Sequence, residues 1–561
     1  MKKFGLSLLC LSLSTAYAGD DLDMANKIRA EGFYNSEVMH TLEQLTDEIG
    51  PRLSGSPQMK KANDWTLNKL KAWGLKNAYL DPFEFGRGWS HDSASIDLIS
   101  PREVSLHGIP VAWTPGTKGE VKGDVVIFDA ASIADLAQYK GKLKGKIIMM
   151  GAGKNIEEPE NSVFKRYDSG ELSKLKKFDV MRAPSHSPWV TADRRDSAMQ
   201  RHNFRAALSR FLKEEKVAGV IYRSWRQGGL INVFGSDHRV GKTFPVPAII
   251  IEAEHYNLLS RMIDNGKAPK LSLNIEARFH DKDRNAYNTM AEIPGSDKNP
   301  EIVMVGGHLD SWHASDGAVD NGAGVAVSME AVRILQSIGF KPKRTIRIGL
   351  WSGEEQGLFG SAAYVDEHFA TRPKPSDKDE RALPSYLWKD QGWPIETKAG
   401  HDKFSVYFNM DNGSGRFRGI YTEGNVAAKS IFSSWFSPYS DLSTGTVTNK
   451  STGGTDHESF DDVGLPGFQF IQDKLDYGSR LHHTHIDSID HVVEADLKQA
   501  SVILAGFLYK AAMADERMPR KPMPQDISTL QKKKLQLKSD KARKKRDKDG
   551  NRKLEINNVK N

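Results

Sequence analysis

The chain has 561 residues, with 79 Lys and Arg against 72 Asp and Glu, a formal net charge of +7 and a single cysteine. This length allows two or three domains, 39% hydrophobic and 9% aromatic residues support a proper core, and one thiol excludes a disulfide framework. The segment 517–561 holds 16 Lys and Arg against 5 Asp and Glu, so the basic balance belongs to a tail and does not describe a nucleic-acid-binding body.

Residues 1–18 carry two lysines, an apolar stretch and Ala16-Tyr17-Ala18 before Gly19, the pattern of a secretory signal peptide and not of a membrane span. Cys10 lies inside it and lacks the small residue expected before a lipoprotein cysteine. The mature chain is then free of thiols and loses nothing in an oxidising compartment. No later run approaches the roughly 18 apolar residues of a span, so the expected location is secreted or periplasmic.

Met24 to Trp73 reads as helices around the polar turn GPRLSGSP, a scaffold in which Arg52 is the side chain with reach toward a cleft. From about Gly116 the character changes. KGEVKGDVVIF, YKGKLKGKIIMMGAG, EEKVAGVIYRS and FPVPAIIIE are short β-rich runs between glycine and lysine turns, with helical patterns at Asn203–Glu215 and from Ala253. This block carries no ligand cluster, which leaves it a lid or substrate-shaping role. Lys165 to Arg195, with SHSPW, reads as a long loop.

From about Ala286 strands alternate with helices, as in a mostly parallel sheet. Ile302–Val305 is a short β-branched run that reads as a buried strand. It is followed by Gly306, Gly307, His308 and Asp310, then by the small and acidic loop through Asp316, Asp320 and Asn321 into a helical run, Val325–Ile338. Strand, acidic loop, helix places polar side chains at the carboxyl edge of a parallel sheet, where such folds put their sites. WSGEEQGLFGS follows the strand-like run Thr345–Leu350, and its adjacent Glu354 and Glu355 point in different directions, one free for a metal and one for a proton. Asp411 ends the apolar run Val406–Met410. HHTHIDSID closes the set, with His483 and Asp487 repeating the pairing of imidazole and carboxylate. Histidines and carboxylates without thiolate suit zinc, with cobalt or manganese open, and one bridging carboxylate is the natural way to hold two ions close together.

HLDSW, GAVDNGAG, WSGEEQG, NMDNG and HHTHIDS together resemble the co-catalytic di-zinc exopeptidases, and within them the carboxypeptidase Q-like branch. The resemblance implies an α/β fold, with a mostly parallel-sheet zinc exopeptidase domain and an inserted protease-associated, β-rich domain. On that reading 19–115 is the N-terminal part of the catalytic domain, 116–276 the insert, 277–516 the di-zinc peptidase domain and 517–561 a basic tail. Two zinc ions are implied: Asp320 bridges them, His308 and Asp411 complete one, Glu355 and His483 the other. Glu354 is the implied general base, Asp310 the acid behind His308, and the Asp320–Asn321 peptide is implied to be cis. His313, His482 and His485 are rim or structural residues, and His457, in STGGTDHESF, either steadies an oxyanion or is a satisfied loop histidine. Thr371–Asp402 resembles an insertion between the Glu-Glu loop and the Asp411 strand.

Hydrolysis of dipeptides or short peptides with free termini follows from the resemblance, with an aminopeptidase acting on longer peptides as the alternative. A non-catalytic relative of the fold is disfavoured by the filled ligand positions, and a one-zinc acyl transferase such as a glutaminyl cyclase by the five-ligand set. The expected partner is a peptide. A homodimer stays open, nucleic acid is not expected, and the tail has the charge to touch an anionic envelope surface.

Overall fold

The computed structural model describes residues 21–157, 162–177, 192–298, 300–381, 394–524 and 540. The signal peptide, the SHSPW segment and most of the basic tail, 525–539 and 541–561, lie outside the described residues.

Ile302–His308 is the strand on which the fold is centred. Val303 and Val305 face one hydrophobic layer and Met304 the other, so both faces are covered and the run is apolar throughout. It belongs to an eight-stranded sheet ordered Lys76–Glu84, Asn285–Ile293, Thr345–Trp351, Ile302–His308, Phe404–Asn409, Gly467–Gln472, Phe417–Tyr421 and Thr446–Thr448. Its four central strands run parallel. The pairings that flank them, and the pair at the Lys76–Glu84 edge, are antiparallel. The expected mostly parallel sheet is therefore a parallel centre within a mixed sheet.

One face of this sheet is covered by helices Ala323–Ser337, Glu494–Met513 and Pro57–Ala72. On the other face, Tyr364 and Val365 of helix Phe359–His368 pack with Phe369, Tyr407 and Phe460. Among the described residues of Thr371–Asp402 are one side of a two-stranded ribbon, Ala370–Thr371 with Glu396–Thr397, a short helix Lys378–Arg381 and most of helix Ala399–Lys403. Residues 382–393 lie outside the described set.

The second eight-stranded sheet is built between Gly88 and His280. It starts earlier than the composition shift near residue 116 suggests. Strand Gly88–Ser100 pairs along its length with Lys270–His280, so 88–115 belongs to this sheet and not to the first. The alternating, half-exposed pattern of Gly88–Ser100 carries no glycine-lysine turns, and the change in character at 116 hid it. The two helices expected within this unit are present, the first starting earlier than its pattern suggests. Helix Ala192–Glu214 supplies Ala207, Leu208 and Leu212 to one face, and helix Ala253–Asp264 supplies Tyr256 and Leu259 to the other.

Candidate active site

The parallel register decides where the chemistry gathers. His308 lies beside Trp351, and Gly306 beside Asn409, in adjacent ladders. The loops that leave those three strands therefore emerge at one edge of the sheet, carrying His308 and Asp310, Glu354 and Glu355, and Asp411. The fourth element, Ala318–Gly322, turns back over them with Asp320, and the loop 477–485 brings His483 from the far side. The Asp320–Asn321 peptide is cis. The Asn321 amide donates to Met410 O (2.9 Å) and accepts from Gly324 N–H (3.1 Å). A methyl at Gly324 would overlap that amide and the Met410 carbonyl, which explains the glycine where the helix leaves the site.

Asp320 stands between two histidines. Its Oδ1 is 3.5 Å from His308 Nε2, and its Oδ2 is 3.6 Å from His483 Nε2. Each histidine has a second carboxylate of its own: Asp411 Oδ1 lies 3.4 Å from His308 Nε2, and Glu355 Oε2 lies 2.9 Å from His483 Nε2. Glu354 Oε2 is 3.9 Å from His308 Nε2. His308 Nδ1 is held by Asp310 O at 2.9 Å, which turns Nε2 into the site. His308, Asp320 and Asp411 form one group with metal-ligand spacing, and Asp320, His482 and His483 form another.

The electrostatics are those of crowded carboxylates out of water. Burial drives Glu354 and Glu355 well above the usual carboxyl range, and Asp411 adds to the rise in both. Burial pushes Asp456, next along the same wall, up to about 7. Burial also opposes ionisation of Asp320, yet His308 and His483 outweigh it and hold that carboxyl down to about 2. Buried His308 Nε2, Asp320 Oδ2 and Glu355 Oε1 have no hydrogen-bond partner among the described residues. Orphaned donor atoms of this kind, converging from imidazole and carboxylate, fit divalent cations and are costly otherwise.

Residues 288–508 match the sequence model of peptidase family M28. The segment that carries the site is a family M28 peptidase segment. Carboxypeptidase Q of Rattus norvegicus is 26% identical over 495 residues, covering 87% of this chain and 88% of the relative. Leucine aminopeptidase 2 of Arthroderma otae is 34% identical over 350 residues, covering 61% and 56%. A solved structure of a peptidase M28 precursor from Shewanella amazonensis superposes with a TM-score of 0.62 at 25% identity, covering 91% of this chain and all of that one. The protein is a metallo-exopeptidase.

All seven residues that the sequence nominates, His308, Asp310, Asp320, Glu354, Glu355, Asp411 and His483, lie within that segment and meet in one cluster. Asp310 accepts from Ser54 Oγ (3.0 Å) and from the Glu354 N–H (3.3 Å), and Ser54 Oγ in turn accepts from Gly353 N–H (2.8 Å). Asp310 thus ties the His308 loop to the Glu-Glu loop. Asp487 does not pair with His483 as its spacing suggests. Its carboxylate accepts from the N–H groups of Val319 (2.7 Å) and Asp320 (3.0 Å) and so fixes the backbone of the central carboxylate. His313 is buried on Pro110 O, and His485 Nδ1 accepts from Ile231 N–H. Both are structural. His457 is buried 3.6 Å from Glu423, and His482 lies against the His483 ring with centroids 3.7 Å apart.

Sequence reasoning missed what the second sheet does here. His483 has a left-handed backbone (φ 59°), and its carbonyl accepts from Val233 N–H (2.8 Å) and from the Asn232 side-chain amide (3.3 Å). Lys165 forms a further bridge to Leu475. The insert is therefore part of the wall that holds His483, and a lid alone does not describe it. Only side-chain chemistry is readable from a lone sequence, and one of these two contacts is backbone to backbone. Asn232→Ala removes one donor from a carbonyl that keeps the other. A metal ion held by His483 would then dissociate about 10-fold faster, the effect of one lost hydrogen bond, as read by chelator competition.

Proposed function

We propose that this metallo-exopeptidase holds two zinc ions and hydrolyses dipeptides or short peptides with free termini. The observation that carries this reading is the placement of Asp320, one oxygen toward His308 and Asp411 and the other toward His483 and Glu355. The first ion would be held by His308, Asp320 and Asp411, the second by Asp320, Glu355 and His483. When bound, the ions polarise the scissile carbonyl and make water a nucleophile at neutral pH.

The remaining steps belong to the chain. Glu354, with its side chain 10% exposed and its N–H held by Asp310, takes a proton from the attacking water as the C–O bond forms. It then delivers that proton to the leaving amine as the C–N bond breaks, ending in its starting state. Burial first, then crowding by Asp411, Asp456 and Glu355, raises the proton affinity of Glu354, so its ionised carboxylate is the stronger base toward the attacking water. Asp310 fixes the His308 ring through its carbonyl and the Glu354 loop through its carboxylate.

His483 is the open side: its side chain is 28% exposed, against 1% for His308. A peptide would enter there. An aminopeptidase acting on longer peptides is the second reading, favoured by the 34% identity to leucine aminopeptidase 2. The two are separated by a panel of dipeptides, tripeptides, N-acetylated dipeptides and C-amidated dipeptides given to the zinc-loaded protein. The first reading expects dipeptides to be preferred and both blocked forms to be poor. Turnover of C-amidated or longer peptides at the dipeptide rate would replace it with the second. Residues 1–18 support export of the mature enzyme, and no described helix is long and apolar enough to cross a membrane.

A further inference from the structure

We propose that Arg226, supplied by the inserted sheet, is the receptor for the substrate's free α-carboxylate. The inference rests on the reading of the site as a peptidase for substrates with free termini.

The loop that carries Arg226 is built in advance. Ser224 Oγ donates to Leu230 O (2.7 Å) and accepts from the N–H groups of Arg226 (3.2 Å) and Asn232 (3.1 Å), closing 224–232 on itself. Gly228 and Gly229 turn with φ 71° and 75°, and their N–H groups are held by the Glu254 carboxylate at 2.7 and 3.3 Å. The far end of the loop joins the active site through the Val233 bond to the His483 carbonyl. Arg226 itself donates Nη1 to Ser479 O at 2.9 Å, four residues before His483.

This is the open side of the metal-ligand cluster. The Arg226 charge acts on both His482 and His483. Its guanidinium lies over the ring of Trp225, 4.1 Å from the centroid, and Trp225 is 59% exposed. The Arg226 Nε is buried without a partner, and among the described residues no carboxylate pairs with the side chain. A guanidinium stacked on an aromatic face, with donors unspent, is the geometry that takes a carboxylate in two parallel hydrogen bonds. Three other cations near this wall are spent. The Arg52 guanidinium is saturated by backbone carbonyls, Arg166 joins Asp473 and Asp496, and Lys521 joins Asp461. The insert would then supply exopeptidase specificity while the first sheet supplies the chemistry.

The test compares the wild type with R226Q and R226K on one dipeptide in its free-acid and C-amidated forms, with zinc content and melting temperature measured beside the kinetics. In the wild type, KM should be about 10- to 100-fold lower for the free acid, the range of a lost hydrogen bond to a charged group. In R226Q that ratio should collapse toward one through a rise in KM for the free acid, with zinc content kept. R226K should recover part of the ratio. A wild-type preference for the free acid that survives intact in R226Q overturns the role of Arg226 alone. A wild type that shows no such preference overturns instead the reading of the substrate on which the inference rests.

Discussion

Glu354→Gln is expected to lower kcat by about 10²–10⁴ while the protein keeps its full zinc content. The substitution keeps the size of the side chain and removes its capacity to carry a proton between water and leaving amine. It leaves the His308, Asp320 and Asp411 group untouched, because Glu354, 3.9 Å from His308 Nε2, stands farther from that nitrogen than Asp411 or Asp320. Glu355→Gln should behave differently. Glu355 is the carboxylate nearest to His483 Nε2, at 2.9 Å, so its loss removes a ligand charge from the second half-site. Zinc content should fall and activity should recover in part with excess metal. Elemental analysis beside kcat decides between them. If Glu354→Gln loses zinc while Glu355→Gln keeps it and still fails to turn over, the two roles are reversed.

The separate roles of Glu354 and Glu355 are what the family resemblance implies, but the gathering of these residues was legible because a strand's end can be read from composition. Ile302–Val305, Thr345–Leu350 and Val406–Met410 each announce a buried strand, and in a parallel sheet the residues just after such strands share one edge. The helices Ala323–Ser337 and Glu494–Met513 follow from apolar periodicity in the same way. The loop from Tyr477 to His485, by contrast, owes its position to contacts with Ile231, Asn232 and Val233, some 250 residues away in the chain. The start of the second sheet was missed for a related reason. Strand Gly88–Ser100 is defined by its partner Lys270–His280 and not by any local signal. Asp487 illustrates a third limit. Spacing suggested a partner for His483, but the carboxylate is used on backbone N–H groups, and backbone polarity leaves no trace in residue type.

Arg52→Met is expected to destabilise the fold by about 3–5 kcal/mol, the cost of breaking a buried charged network by removing one partner, and to loosen the metal site with it. Sequence reading makes this arginine a scaffold residue with reach to the cleft. It is instead fully buried, with its Nε on Leu309 O (2.8 Å) and its Nη1 on Leu45 O, Gly50 O and Asp316 O (3.1, 3.2 and 2.6 Å). Its Nη2 donates to Gly317 O (2.8 Å). These carbonyls lie on the N-terminal turn and on the loop that joins His308 to Asp320. One planar cation thereby fixes the spacing of two metal-ligand candidates. Burial pulls its pKa down to about 10, which still leaves it charged at neutral pH, with Asp487, Asp310, Asp316 and Asp320 as its nearest counter-charges. Methionine fills the volume but donates nothing, so five carbonyls are left buried or must find water. Lysine keeps the charge but offers three donors from a single point, so Arg52→Lys should fall between methionine and the wild type. The measurements are urea-induced unfolding and zinc retention during dialysis. An Arg52→Met protein with the wild-type urea midpoint and undiminished zinc would show that the 309–317 loop holds its shape without the guanidinium.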